Sequence, residues 1–300
     1  MRTRKLGQSE LHISEIGFGC MSLPTDLQAA RYMIDAAVDY GINYFDTADL
    51  YDKGVNEQIV GEALKEKRRD IYIASKVGNV WNEDGETWHW DASRTHIIEG
   101  FKESLRRLQT DYLDFYQLHG GTLDDQFEEI TDAFEQLKKE GLIRAYGISS
   151  IRPNVIKTFL PMSEAAGVMM QYSALDRRPE EYFDYIQSQG ASVVTRGTVA
   201  KGLLTNDWQR RLEKQNGYLT YTQQELADTL SNIAAQQPDV LTTALSYNLA
   251  HDAVASVIVG ASSIEQLQQN MQAYERITPD FDATVIQQLT KQDRYTAHRD

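Results

Sequence analysis

Four residues in the first half of the chain could together move a proton: Asp46, Tyr51, Lys76 and His119. A phenol ionises near pH ~10 in water, which makes it a weak acid at neutral pH. An ammonium beside a phenol favours the phenolate and eases the proton's departure. In this sequence Lys76 is the ammonium and Asp46 the carboxylate that would keep it charged. His119 is an imidazole able to hydrogen-bond a substrate oxygen and orient it. Such a set suits placing a proton on a carbonyl oxygen while another reagent attacks the carbon, and a hydride from a nicotinamide would complete that reaction. Each residue also has a plainer reading: Asp46–Lys76 as a buried structural ion pair, His119 as a satisfied core histidine.

The four can act together only if the fold gathers them. Short apolar runs lie at 16–19, 43–46, 71–76, 113–118, 145–149, 168–171, 192–195 and 256–259, rich in Val, Ile, Tyr and Phe as buried parallel strands are. Between them run helical stripes, such as Phe127, Ile130, Phe134 and Leu137, or Ile264, Leu267, Met271 and Tyr274. Gly41, Gly141, Gly167 and Gly190 each close such a stretch just before a strand. Eight β-then-α units close a (β/α)8 TIM barrel, an α/β fold that reaches 300 residues as one domain, here 1–300. An open doubly wound sheet would carry Gly-x-Gly-x-x-Gly after its first strand, but Gly17-Phe18-Gly19-Cys20-Met21-Ser22 lacks the third glycine. Residues 5–11 read as a hairpin around a Gly turn that closes the barrel floor. In a barrel the strand C-termini converge on one face, so Asp46, Tyr51, Lys76 and His119, at or after the second, third and fourth strands, would share one mouth.

Charge and composition exclude several classes. With 30 Lys+Arg against 44 Asp+Glu the net charge is −14, which repels nucleic acid and anionic membranes. Cys20 is the only cysteine, so no intramolecular disulfide forms, and a lone thiol suits a reducing cytoplasm. The polar, basic start at 1–6 is followed by no apolar run, so no signal peptide is expected, and no apolar run is long enough to span a membrane as a helix. The six histidines show no metal-binding spacing, which argues against a metal-dependent barrel hydrolase. An anion in so acidic a chain needs a local site, and two segments offer one. Residues 257–263 read as a strand, a glycine turn and a Ser-rich helix start. Residues 196–202 carry Arg196 and Lys201 with two glycines, at a barrel position that often binds phosphate.

At these residues the sequence resembles the aldo-keto reductase family along essentially its whole length. The resemblance rests on Gly41-Ile42-Asn43-Tyr44-Phe45-Asp46-Thr47-Ala48-Asp49-Leu50-Tyr51, on Ile73-Ala74-Ser75-Lys76, and on Asp111 through His119. Gly141 through Ser149, and Gly260-Ala261-Ser262-Ser263 through Gln269-Asn270, complete it. It implies NADP(H) lying across the barrel mouth, a small carbonyl compound as substrate, and Tyr51 as general acid assisted by Lys76, Asp46 and His119. It further implies cofactor contacts from Cys20, Met21, Asp46, Ser149, Ser150 and Gln171, from the 196–202 loop (Arg196, Gly197, Thr198, Val199 and Lys201), and from Gly260, Ser262, Gln266 and Asn270. Three positions depart from the family pattern. Ser150 stands where many members have Asn, Arg196 where many have an aromatic that stacks on the nicotinamide, and Gln266 where some have the Arg that grips the 2′-phosphate, a loss Lys201 would offset. Trp81 and Trp88, in the long 77–91 loop, are expected to line the substrate pocket or form a lid, with packing against the barrel rim as the other reading. The short polar tail at 291–300 leaves the pocket more open, or leaves its closure to the Trp-rich loop or a partner subunit, and the oligomeric state is unspecified. A cofactor-sensing or regulatory barrel is the alternative role, because family-like barrels need not turn over substrate.

Overall fold

The structure, a computed structural model, describes residues 1–299. The chain opens with strands β1 (Thr3–Lys5) and β2 (His12–Ser14), an antiparallel pair. The barrel is then built from β3 (Ile16–Gly19), β4 (Tyr44–Asp46), β5 (Tyr72–Val77), β8 (Leu113–Leu118), β9 (Ile143–Ser149), β10 (Gly167–Gln171), β11 (Ser192–Arg196) and β14 (Val254–Gly260). These eight strands close on themselves in that order, with every barrel pair parallel. Each sequence-predicted strand lies within or against one of them.

Small additions sit at the mouth. Strands β6 (Asn79–Trp81) and β7 (Trp88–Trp90) form a hairpin directly after β5. A short pair, β12 (Gly217–Tyr218) and β13 (Tyr221–Thr222), follows β11. The helices are α1 (Leu27–Asp39), α2 (Val55–Leu64), α3 (Arg94–Leu108), α4 (Phe127–Lys139), α5 (Pro153–Phe159), α6 (Glu180–Ser188), α7 (Trp208–Leu212), α8 (Gln223–Gln236), α9 (Val240–Leu249), α10 (Ile264–Glu275) and α11 (Ala283–Leu289). Among the described residues no helix is long and apolar enough to cross a membrane.

Period-two alternation in the strands creates two cores. Tyr44, Ala74, Phe115, Ala145, Met169, Val194, Ala255 and Ile258 form an inner cluster together with Leu6, Leu11 and Ile13 of the N-terminal hairpin. The alternate side chains, such as Phe45, Ile73 and Tyr116, pack instead with Phe101, Phe134 and the other helix stripes. The hairpin therefore closes the N-terminal end of the barrel. Its strands flank the 5–11 segment that the Gly turn suggested and share only Lys5 with it; Leu6 and Leu11 point into the core and close the turn with a Leu6 N–H to Leu11 carbonyl bond of 2.9 Å. The Gly7 N–H donates to Ser192 Oγ at 2.9 Å, and Arg4 donates to the Val254 and Leu249 carbonyls at 2.9 and 2.8 Å.

Phe115 fits inside because its neighbours on β9 and β10 have no side chains. A Cβ on Gly147 would lie 2.1 Å from the Gly167 carbonyl oxygen and 2.6 Å from the Phe115 ring. Gly147→Ala should therefore lower stability by about 2 kcal/mol or more through overpacking. Gly141→Ala, where φ is +74° but nothing lies within 4 Å, should cost only the left-handed backbone penalty of about 1 kcal/mol. Urea unfolding of both variants checks this, and equal losses would contradict it.

Candidate active site

The site is built on the C-terminal ends of β4, β5 and β8. Asp46 ends β4, and Lys76 lies next to the end of β5. The backbone N–H of His119, one residue past β8, bonds to the Val77 carbonyl at 2.7 Å. Tyr51 sits in the loop between β4 and α2. That loop is anchored from below: Thr47 Oγ1 donates to Asn56 Oδ1 at 2.6 Å, and Asn56 Nδ2 donates to the Cys20 carbonyl at 2.8 Å. Asp52 and Lys53, directly after Tyr51, take left-handed backbone conformations at φ 47° and 56°, a strained turn that the packing beneath must hold.

Lys76 is fully buried and its three donors are all spent. Nζ donates to Asp46 Oδ2 at 2.6 Å, to the Thr47 carbonyl at 2.7 Å and to Tyr51 Oη at 3.4 Å. Burial alone would depress the ammonium's pKa, but the Asp46 charge and the Tyr51 oxygen outweigh it and raise the value above that of a free lysine. Gln117 Nε2 approaches the other Asp46 oxygen at 3.4 Å.

His119 lies edge-on to Tyr51, with ring centroids 6.1 Å apart. Burial, then the charges of Lys76 and Arg196, push its pKa down from 6.5 to about 3. The ring is therefore neutral at pH 7, and its buried Nδ1 has no partner among the described residues.

These groups face a cavity of about 850 Å³. Asp46, Tyr51, His119, Met21, Ser149 and Ser150 line it, and so do Arg196, Gly197, Thr198, Val199, Lys201, Gly260 and Asn270. Lys76 lies beneath its floor, reaching it through Asp46 and Tyr51. A second groove of similar volume shares Val199, Lys201, Gly260 and Asn270 with the first, so the two form one trough. Gln266 belongs to this outer part. Arg196 donates to Gln171 Oε1 at 3.2 Å, and neither it nor Lys201 has a carboxylate partner among the described residues.

Several expected contacts lie elsewhere. Cys20 is fully buried with its thiol against the Phe18 carbonyl, and only its own carbonyl serves the site, by holding Asn56. Gln171 lies behind Arg196, with its amide spent between Arg196 and Asp176, and it does not line the cavity. Ser262 also stays outside; its N–H and Oγ both donate to Gln266 Oε1, at 2.9 and 3.1 Å.

Trp81 and Trp88 pack edge to face, 5.5 Å apart, at the outer end of the β6–β7 hairpin. Trp88 is exposed, and Trp81 borders a hollow of about 430 Å³ that shares Met21, Leu50 and Tyr51 with the main cavity. The tryptophan that lines the main cavity is Trp90, which pairs with Asn79 two register steps nearer the barrel. Its indole fills the space left by two glycines: a Cβ on Gly78 or Gly120 would come within 2.5 or 3.0 Å of the ring. Trp90 Nε1 donates to Asp125 Oδ1 at 2.9 Å, and Asp125 Oδ2 accepts the Thr122 N–H at 2.6 Å. Leu50, Asn79, Gly121, Thr122, Ile151 and Arg152 also line the cavity and were not foreseen. Their signal was positional: each lies within a few residues of a strand C-terminus.

A closed parallel barrel carrying a buried Lys–Asp pair against a Tyr and a His at its mouth defines a class of oxidoreductase. The aldo/keto reductase family profile matches residues 15–292. The chain belongs to that family, and so is an oxidoreductase acting on carbonyl compounds with a nicotinamide cofactor. It is 54% identical to the holo form of aldo-keto reductase AKR11C1 from Bacillus halodurans, over the full length of both chains, with a TM-score of 0.95. It is 52% identical over the full length of both to the uncharacterized oxidoreductase YqkF of Bacillus subtilis (strain 168). An NADH-specific methylglyoxal reductase of Escherichia coli (strain K12) is 27% identical over 97% of this chain and 99% of its own.

The depressed His119 value has a definite sign. Below pH ~6.5 an unfolded chain protonates this histidine and the folded one does not, so stability falls as pH drops from about 6.5 towards about 3 and levels off below. NMR should find the His119 ring neutral from pH 8 down to 5, and His119→Gln should lose less stability than the parent between pH 7 and 4.5. A ring that titrates near 6.5 would refute the assignment.

Proposed function

We propose that the chain reduces aldehydes or ketones to alcohols with NADPH, and that Tyr51 delivers the proton to the carbonyl oxygen. The reading rests above all on one contact: a buried ammonium, paired with Asp46 at 2.6 Å, placed 3.4 Å from the phenol oxygen of a cavity-lining tyrosine. When bound, the nicotinamide supplies the hydride. The chain's own part is positioning and proton transfer. Lys76 stabilises the oxygen that Tyr51 is left with once its proton is given up. His119, neutral at working pH, offers an N–H to the carbonyl oxygen without adding a charge that would compete with Lys76.

The trough fits a dinucleotide by its donors. Arg196 and Lys201 are free of carboxylates in a chain of net charge −14, and Gly197 at φ +75° turns the backbone tightly between β11 and the outer groove. Ser149, Ser150, Asn270 and Met21 would hold the cofactor with Thr198, Val199 and Gly260. We assign the 2′-phosphate, and hence preference for NADPH, to Lys201 and Arg211 in the outer groove, neither of which meets a carboxylate, with Gln266 beside them. The unpaired Cys20 suits a reducing cytoplasm, where we place this enzyme as one catalytic domain.

Tyr51→Phe should lower the single-turnover rate with NADPH and a simple aromatic aldehyde by about 10²-fold or more, while NADPH binding, followed by fluorescence, changes little. An unchanged rate would overturn the assignment of Tyr51. Titration with NADPH and NADH in parallel tests cofactor choice; equal affinity would remove the phosphate contact proposed for Lys201 and Arg211.

A further inference from the structure

Arg152 is a cation that the chemistry above does not use. It lies between β9 and α5, at the N-cap position of α5, yet its side chain caps nothing. Instead it turns towards the cavity, where Nη1 donates to the Gly121 carbonyl at 2.8 Å. Gly121 is only two residues past His119. A guanidinium has five N–H donors, and among the described residues this is the only side-chain bond Arg152 makes.

Of the other buried or half-buried arginines among the described residues, only Arg211, in the outer groove, also lacks a carboxylate. Arg68, Arg107, Arg177 and Arg178 each meet a carboxylate at 3.0 Å or closer. Arg152 is half-buried and meets none. In a chain with 44 acidic residues against 30 basic ones, leaving a cavity-facing guanidinium unpaired keeps a positive potential there for something else.

Position separates it from the cofactor cations. Arg196 ends β11 and Lys201 follows it, beside the glycine turn at the end of β14. Arg152 follows β9 and is tied to the loop after β8, on the side of the cavity walled by Trp90, Gly120 and Thr122. An apolar wall of indole beside a fork of free N–H groups suits a substrate with a flat or apolar body and an anionic group at its far end.

We propose that Arg152 forms an anion subsite for the substrate, so that the enzyme prefers carbonyl compounds bearing a carboxylate over their uncharged counterparts. This deepens the carbonyl-reduction reading and rests on it. Arg152 is here a specificity residue and takes no part in the proton transfer.

The test compares 4-carboxybenzaldehyde with its near-isosteric neutral partner 4-formylbenzamide, each with NADPH. The parent enzyme should favour the carboxylate by about tenfold in kcat/KM, mostly through KM, and lose that preference as salt is raised. Arg152→Gln should bring the ratio close to one and leave 4-formylbenzamide within about twofold of the parent. Arg152→Lys should restore part of the preference, because it keeps the charge and loses the fork. A parent enzyme with no preference, or an Arg152→Gln variant that slows both substrates alike, would overturn the subsite and leave Arg152 as a brace for the Gly121 loop. Turnover of the amide tests the carbonyl-reduction reading separately. Should neither aldehyde turn over, terephthalate binding decides, followed by tryptophan fluorescence: weaker binding to Arg152→Gln than to the parent upholds the subsite, and equal binding rejects it.

Discussion

A buried ammonium that cannot afford to lose its carboxylate organises this protein. Lys76 sits where water does not reach, and an isolated charge there would neutralise itself or unfold its surroundings. Asp46 and the Thr47 carbonyl satisfy two of its donors and so hold the third towards Tyr51. Much of the nearby architecture serves this arrangement. Strands β4 and β5 lie side by side so that the two side chains meet, and Asn56 and the Cys20 carbonyl pin the loop that carries the phenol. Burial first, and the same positive charge second, keep His119 neutral.

Among the described residues, four of the seven non-glycine residues at positive φ lie beside Tyr51 or along the trough. Asp52 and Lys53 adopt left-handed conformations beside Tyr51, and Ala200 and Lys201 do so where the two grooves meet. Each costs about 1–2 kcal/mol, because a Cβ crowds the following carbonyl. Packing against the barrel rim holds these turns, and they aim side chains that a relaxed loop would turn elsewhere. The wider electrostatics has the same focus: an acidic chain keeps Arg152, Arg196, Lys201 and Arg211 free of carboxylates, and all four border the trough.

The barrel was legible because buried parallel strands read as short apolar runs, each closed by a turn signal, and eight of them admit few closures. The four polar groups were legible because strand ends converge, which converts a sequence position into a place at the mouth. What could not be read was the direction of side chains outside the ladder. The three tryptophans at 81, 88 and 90 look alike in sequence, yet two register steps along a hairpin decide that Trp90 reaches the cavity and that Trp88 faces solvent. The cue was Gly78 and Gly120, whose missing side chains make the seat for that ring. Cys20 and Gln171 were similarly close to the site in sequence but turn into packing and a supporting amide bridge. Arg152 carried no sequence signal beyond following a strand, since its meaning comes from the carboxylate it lacks.

The central claim is that Lys76 acts on the proton transfer through the Tyr51 phenol. A double-mutant cycle tests it most directly: single-turnover rates with NADPH for the parent, Tyr51→Phe, Lys76→Met and the double variant, each confirmed folded by circular dichroism. The account predicts that the double variant is no slower than Tyr51→Phe alone, because without the phenol the ammonium has nothing to assist. Independent, multiplicative losses from the two substitutions would contradict it.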